Sequence, residues 1–350
     1  MESFLTILLR LILRVRILAI RGAVIGFGYL SYWRARLRSR TDFVVQRWPG
    51  DIEISTARKI AVFNHYDRQG VLHPFVEHYL RQIAAAGYAI LFASNAPRLP
   101  EATIERLKPI STLILRRDNI GRDFGAYKDG IAAIPSLERL DSLLIANDSV
   151  YGPFHDLSEV LQRMPAEEAD VWGITDSWER RYHLQSFFML FHRPALANPG
   201  FTAFWRNLHY VQAKGWIIHR YEIGLSRALM AAGLRLKALY PYREAAAALV
   251  EAVKDRRVLD LEGIDSLQKQ FIAQIFTMIN RGIPLNPTHF FWDYLIGTMG
   301  CPFLKRELLR DNPARIPYVQ YWEKVIRSVS AYDTDLIVRH LEVALKDRSV

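Results

Sequence analysis

The chain has 350 residues, half of them hydrophobic and 23% charged, with a formal net charge of +10. That balance excludes a disordered chain and allows a large buried core, in one domain or two. Its one cysteine, Cys301, excludes an internal disulfide and any multi-cysteine metal centre, and fits a reducing compartment.

The charge is not evenly spread. Residues 1–40 hold eight arginines and one acid, Glu2, a net +7 that leaves only +3 for the other 310 residues. A basic arm on a nearly neutral body points to an anionic surface touched by one end, and not to nucleic acid. Residues 3–33 are apolar but broken by arginines, so no run reaches the roughly 18 residues of a spanning helix. Wound as a helix, Ser3, Thr6, Arg10, Arg14 and Arg21 form one narrow stripe, with Arg16 off it. This pattern predicts a helix lying in a membrane interface. Tyr29, Tyr32 and Trp33, followed by Arg34, Arg36, Arg38 and Arg40, suit the headgroup layer. A helix packed on the protein's own core is the structural alternative, and a tilted spanning segment is a third. Arginines inside the apolar stretch argue against a signal peptide.

From residue 59, apolar runs predict strands at 59–64, 88–94, 111–116, 142–146, 169–174 and 184–191. Helical patterns at 73–86, 100–108 and 123–134 separate the first four. Such alternation predicts an α/β fold with a mostly parallel sheet and helices on both faces. Ligands of such sheets sit at the carboxyl ends of the strands, and polar residues cluster there. They are Asn64, His65, Tyr66 and Asp67; Ser94 and Asn95; Arg117, Asp118 and Asn119; Asn147, Asp148 and Ser149; and Thr175, Asp176 and Ser177. Five clusters on one edge describe a binding crevice. Beyond about residue 198 the pattern turns helical, most strongly over 244–280, and 284–318 is expected to fold back on the first part.

Three motifs carry chemistry. In R-R-D-N-I-G-R-D-F-G-A-Y-K-D-G (116–130), Gly121 and Gly125 bracket a strand-to-helix turn whose amides can receive an anion; a plain turn capped by Asn119 or Asp123 explains it equally well. In N-D-S-V-Y-G-P (147–153), Asp148 can hold a divalent cation through oxygen, with Asn147 and Ser149 as weaker ligands. An Asx-turn explains the same residues. In Y-E-I-G-L-S-R-A-L-M-A-A-G (221–233), Glu222 is a candidate general base, although an acid near a helix start also serves the helix dipole.

Taken in order, V-F-N-H-Y-D (62–67), R-D-N-I-G-R-D-F-G-A-Y-K-D-G (117–130), N-D-S-V-Y-G-P (147–153), W-G-I-T-D-S (172–177), H-L-Q-S-F-F (183–188) and P-F-L-K-R-E-L-L-R-D-N-P (302–313) resemble the rhamnan synthesis protein F family over roughly residues 59–330. The resemblance implies a glycosyltransferase of the A-type nucleotide-sugar-binding fold, acting in polysaccharide or lipopolysaccharide synthesis with dTDP-L-rhamnose as donor. With the charge and helical patterns beside it, the chain divides into a basic arm (1–40), which lies outside the resemblance, a nucleotide-sugar-binding domain (59–240) and a mainly helical part packed on it (241–350). Asn64 and Asp67 would meet base and ribose, and Asn95 lies on the same strand-end edge. Asn119, Gly121 and Asp123 would line the nucleotide. Asp148 would take the place of the Asp-x-Asp metal motif, binding Mg²⁺ or Mn²⁺. Lys305 and Arg306 would steady the departing charge. Glu222, eleven residues before Gly233, would be the base, with Asp176 as its rival. Two positions depart from the family pattern: N-D-S has one carboxylate where two are usual, and Tyr221 replaces the first acid of a Glu-Asp pair. The acceptor implied is a lipid-linked glycan at the cytoplasmic face of a bacterial membrane. A non-catalytic glycan-binding component and a phosphate-handling hydrolase using Asp148 are the other readings.

Overall fold

In the computed structural model, which describes residue 16 and residues 22–38, 43–254 and 266–346, the expected apolar runs are strands. The arginine stripe from Ser3 to Arg21, together with Arg40 and residues 255–265, lies outside the described residues. The strands are β1 (Val44–Pro49), β2 (Lys59–His65), β3 (Ala89–Ser94), β4 (Ser111–Arg117), β5 (Ser142–Asn147), β6 (Val150–Tyr151), β7 (Val171–Ser177), β8 (His183–Leu184), β9 (Phe188–His192), β10 (Leu236–Tyr240) and β11 (Leu304–Lys305).

The central sheet runs β1-β4-β3-β2-β5-β9-β7-β10, with β8 paired to β7. β2, β3, β4 and β5 are parallel to their neighbours among one another, and β10 is parallel to β7. β9 runs antiparallel between β5 and β7, and β1 antiparallel against β4. The mostly parallel α/β architecture of the expected A-type fold is borne out, as is the helical character of the C-terminal part.

Both faces of the sheet are covered, which is why its strands read as unbroken apolar runs. Successive side chains point to opposite faces. On β2, Ala61 and Phe63 join one core while Ile60 and Val62 join the other; on β5, Leu144 and Ala146 divide from Leu143 and Ile145 in the same way. The helix Pro74–Ala85 buries Phe75, Val76, Tyr79, Leu80 and Ile83 on the first face. The helix Arg122–Ala132 buries Phe124, Tyr127 and Ile131 on the second.

Three features differ from the sequence expectation, each for a local reason. The run 184–191 is two strands, because its register against β7 shifts by two residues between Leu184, opposite Asp176, and Met189, opposite Gly173, with Gln185 still bonded to Thr175 through backbone and side chain. β10 interrupts a region expected to be helical; only five residues long and half-exposed, it offers too little pattern to read. β1 is a half-exposed edge strand ending in proline, a common edge signature with a weak apolar signal. The segment after residue 300 does fold back on the first part: β11 pairs antiparallel with β6 in a separate two-stranded sheet, and Phe154 N–H donates to Pro302 O (2.9 Å). Among the described residues, no helix is long and apolar enough to cross a membrane.

Candidate active site

β2, β3 and β4 step outward in one direction, and the chain then returns to place β5 on the other side of β2. Such a reversal opens a crevice at the carboxyl ends of the two central strands. Those ends are Asn64–His65 on β2 and Asn147 on β5, which pair in register at Asn64 and Asn147. Asp148 follows directly, its N–H donating to Asn64 O (3.2 Å).

A buried polar chain fixes this edge. Arg117, fully buried at the end of β4, donates Nε to Asp129 Oδ2 (2.8 Å), Nη1 to Asn95 Oδ1 and Nη2 to Ile120 O (2.8 Å). Asn95 Nδ2 donates to Asn64 Oδ1 (3.0 Å), and Asn64 Nδ2 donates to Asp123 Oδ1 (2.9 Å). The ends of three strands and the start of one helix are therefore linked by side chains alone. Tyr210 Oη completes the other oxygen of Asp129. Gly125 is required here: a Cβ on it would stand 2.5 Å from Ile120 O and 2.9 Å from Arg117 Nη2. The turn itself is strained, with Gly121 at φ 83° and Arg122 at φ 51°. A left-handed non-glycine residue costs on the order of 1–2 kcal/mol and persists only where neighbours hold it.

Three carboxylates and two cations meet at this edge. Asp123 lies in the first turn of its helix, with Asn147 Nδ2 3.4 Å from Oδ2. Burial raises its pKa to about 6, with the charge of Asp148 as the next cause, Glu222 adding to it and Lys305 opposing. Asp148 Oδ2 accepts from Tyr66 N–H (3.3 Å) and pairs with Arg306 Nη1 (3.2 Å). Both cations arrive through the β6–β11 pairing, which sets Lys305 opposite Val150 and lets Arg306 N–H donate to Ser149 O (3.0 Å). Lys305 Nζ sits 3.5 Å from Ser149 Oγ and 4.0 Å over the Phe187 ring. Burial lowers its pKa to about 8, against the charges of Glu222 and Asp123. Arg306 is held from behind by His340 on the helix Asp335–Lys346, 3.3 Å from Nη2, and His340 is itself anchored 2.8 Å from Tyr151 Oη.

Glu222 ends a π-helical stretch, Ile217–Glu222, an irregularity frequent at functional sites. Its Oε1 accepts from Ser186 N–H (3.0 Å) and Ser186 Oγ (2.9 Å). This fixes the carboxylate while leaving Oε2 for other work.

The remaining candidates are placed differently. Asp67 turns into its own loop, accepting from the N–H groups of Gln69 (2.8 Å) and Val71 (2.9 Å) and lying 3.2 Å from His73 Nε2. Burial alone would raise its pKa, but these bonds outweigh it and hold the carboxylate well below its usual range. Asn119 contributes its backbone oxygen, which accepts from Gln212 Nε2 (2.5 Å). Gly121 caps the helix Arg122–Ala132. Asp176 has both oxygens engaged, Oδ1 by Tyr242 N–H (2.6 Å) and Oδ2 by Trp178 Nε1 (3.2 Å). Burial raises its pKa, and the charge that acts on it is that of His183. Sequence reasoning placed Arg117 on the crevice edge, as a charged residue directly ending an apolar run, but not its part in the buried network, and it missed Asp129, Ser186 and His340 as site residues.

Among the described residues, no three His, Cys, Asp or Glu side chains converge on a metal position. Mg²⁺ and Mn²⁺ are nonetheless bound through one or two carboxylates completed by substrate phosphates and water. Asp148 and Asp123, close enough for one charge to shift the other, fit a cation on those terms.

The model of the family described as rhamnan synthesis protein F matches residues 90–253, which bears out the resemblance carried by the motifs. Virulence protein VirA of Vibrio anguillarum is 29% identical over 298 residues, 79% of this chain and 86% of VirA. The uncharacterized protein y4gN of Sinorhizobium fredii is 29% identical over 208 residues, 57% of this chain and 54% of that protein. Among solved structures, the mannosyltransferase PcManGT from Pyrobaculum calidifontis, in complex with GDP-Man and Mn²⁺, aligns over 94% of this chain and 91% of its own, at 14% identity and a TM-score of 0.32.

The buried chain yields a stability test. Arg117→Met leaves Asp129 buried with its main charge partner gone, a change that costs about 3–5 kcal/mol when one member of a buried pair is removed. Urea unfolding is expected to show that loss as a lower midpoint at an unchanged slope.

Proposed function

We propose that the chain is a glycosyltransferase that moves a sugar, rhamnose from dTDP-L-rhamnose, onto a lipid-linked glycan during synthesis of a cell-surface polysaccharide or lipopolysaccharide. One observation carries this reading. At the switch point of a nucleotide-binding type of sheet, a held carboxylate (Glu222) shares one edge with two further acids (Asp123, Asp148) and two cations (Lys305, Arg306). Sugar transfer needs a base for the attacking hydroxyl and positive charge for a leaving diphosphate, and this set supplies both.

The reaction is a direct displacement at the anomeric carbon. The acceptor O–H gives its proton to Glu222 Oε2 as its oxygen bonds to the sugar carbon. The bond from that carbon to the diphosphate oxygen breaks, and the nucleoside diphosphate leaves with the electron pair. Lys305 and Arg306 hold the oxygens that gain charge. A divalent cation held by Asp148 and Asp123 would add to that neutralisation. Asn64 fixes Asp123, and Asn95 fixes Asn64, so the strand-end asparagines position the acid. Asp176, with both oxygens engaged, is the weaker of the two base candidates. The enzyme works at the cytoplasmic face of a bacterial membrane, where the basic arm meets an anionic surface and the acceptor is anchored.

Glu222→Gln keeps the shape and the Ser186 bonds but cannot take a proton. Turnover with dTDP-L-rhamnose is expected to fall about 10²–10⁴-fold with donor affinity retained, read from initial rates and donor titration. Full turnover in this variant would remove Glu222 from the mechanism, and no nucleotide-sugar binding by the folded protein would favour the non-catalytic reading.

The lowered pKa of Lys305 sets a pH dependence. Below about 8 the amine is charged; as pH rises through about 8 it becomes neutral and its attraction for the diphosphate is lost. Donor affinity is expected to weaken across that window, and calorimetric titration of Lys305→Met is expected to lack that limb.

A further inference from the structure

Residues 22–36 are helical and have two distinct faces. Gly28, Ser31, Tyr32 and Ala35, at the i, i+3, i+4 and i+7 positions of one stripe, face the body. There Tyr32 stacks on Trp216 (4.9 Å between centroids), Ser31 Oγ accepts from Gln212 N–H (3.2 Å), and a Cβ on Gly28 would touch Trp216 at 3.4 Å. On the opposite face, Leu30 (49% exposed), Trp33 (51%) and Leu37 (81%) repeat at i, i+3 and i+7. Arg34 and Arg36 stand on either side of that ridge, both exposed, with the Arg36 guanidinium 5.3 Å over the Trp33 ring.

An exposed apolar ridge flanked by arginines suits the boundary of an anionic bilayer, where apolar side chains enter the acyl region and guanidinium groups meet phosphates. A second copy of the same face would instead bring arginine rows together.

The inner face of this helix leads to the donor site through one residue. Gln212 donates its N–H to Ser31, accepts from Arg122 Nε at its O (3.2 Å), and donates Nε2 to Asn119 O (2.5 Å). It therefore bonds the helix and both ends of the strained Gly121–Arg122 turn at once. The segment around it also touches the rest of the site. Tyr210 bonds Asp129 and packs where a Cβ on Gly121 would stand, and Lys214 pairs with Glu307 (3.7 Å), two residues after Lys305. The next residues form the π-helical stretch that ends in Glu222.

We infer that the outer face of helix 22–36 docks on an anionic lipid surface, and that docking, passed through Gln212, favours the nucleotide-binding form of the Asn119–Arg122 turn. The coupling rests on the donor reading above; the docking does not. On this inference the strained turn exchanges between a held and a released arrangement, and a surface that fixes the helix then biases it toward the held one.

The test uses the full chain, vesicles of phosphatidylglycerol with phosphatidylethanolamine, vesicles of phosphatidylcholine alone, and dTDP as the nucleotide probe. The wild type is expected to co-sediment with the anionic vesicles only, and Trp33→Ser/Leu37→Ser to co-sediment markedly less. Adding anionic vesicles is expected to tighten dTDP binding by at least about fivefold, the lower end of ordinary coupling between sites. Ser31→Ala/Gln212→Ala removes two of the three bonds; it is expected to co-sediment normally yet show no tightening. Co-sedimentation of Trp33→Ser/Leu37→Ser at the wild-type level would overturn the docking face. So would a concentration-dependent dimer of the wild type that those substitutions abolish. An unchanged dTDP affinity on adding vesicles to the wild type, or full tightening in Ser31→Ala/Gln212→Ala, would overturn the coupling. Absence of dTDP binding under all conditions would remove the donor reading and the coupling together, while co-sedimentation still decided the docking.

Discussion

The site depends on the guanidinium of Arg117, a charge buried completely at the end of a strand. An unpaired charge there would be prohibitive, so each of its nitrogens must be matched. They are matched by Asp129, Asn95 and Ile120 O, and each partner passes the constraint onward. Asn95 sets Asn64, Asn64 sets Asp123, and the Ile120 carbonyl sets the turn that begins the helix of Asp123. A buried network in which each of the three guanidinium nitrogens has a partner rigidifies what it joins. Two glycines make it feasible: Gly121 adopts the left-handed turn, and Gly125 leaves room for the carbonyl and guanidinium that cross above it.

That rigid edge supplies only half of the chemistry. The acids come from the strand ends and the helix start, while both cations come from β11 and the residue after it. The matched family region, residues 90–253, holds Asp123, Asp148 and Glu222 but not Lys305 and Arg306. The balance of charge at the site thus depends on a distant segment, held by a two-residue ladder and braced by His340. Asp123, raised by burial and by Asp148, and Lys305, lowered by burial, are both shifted toward neutrality. The negative charge of an incoming diphosphate would oppose the shift of Lys305.

Much of the sheet was legible because its strands are buried on both faces and so appear as unbroken apolar runs. Polar residues at their ends then mark the crevice without any knowledge of pairing. The limits are equally physical. β6 and β11 are two residues each, too short for any period, so the approach of Lys305 and Arg306 to Asp148 could be reached only through the family resemblance. Arg117 and Asp129 are twelve positions apart across a turn, and nothing in a single sequence says that one neutralises the other. Asp67 and Asp176 look like site acids because they follow strands. Their oxygens instead serve the local backbone and neighbouring side chains, which only coordinates can tell. Glu222 looked the more ordinary acid, yet its bonds to Ser186 hold it beside the cluster.

The central claim is that the acids and cations at this switch point receive a nucleotide-sugar diphosphate. Calorimetric titration of dTDP-L-rhamnose, with Mn²⁺ present and then removed by chelation, tests it most directly on the wild type and Asp123→Asn. The account predicts saturable binding at one site, weakened on chelation and weakened further in the variant. Absence of saturable binding by a folded wild-type protein, or affinity indifferent to Asp123, would contradict it.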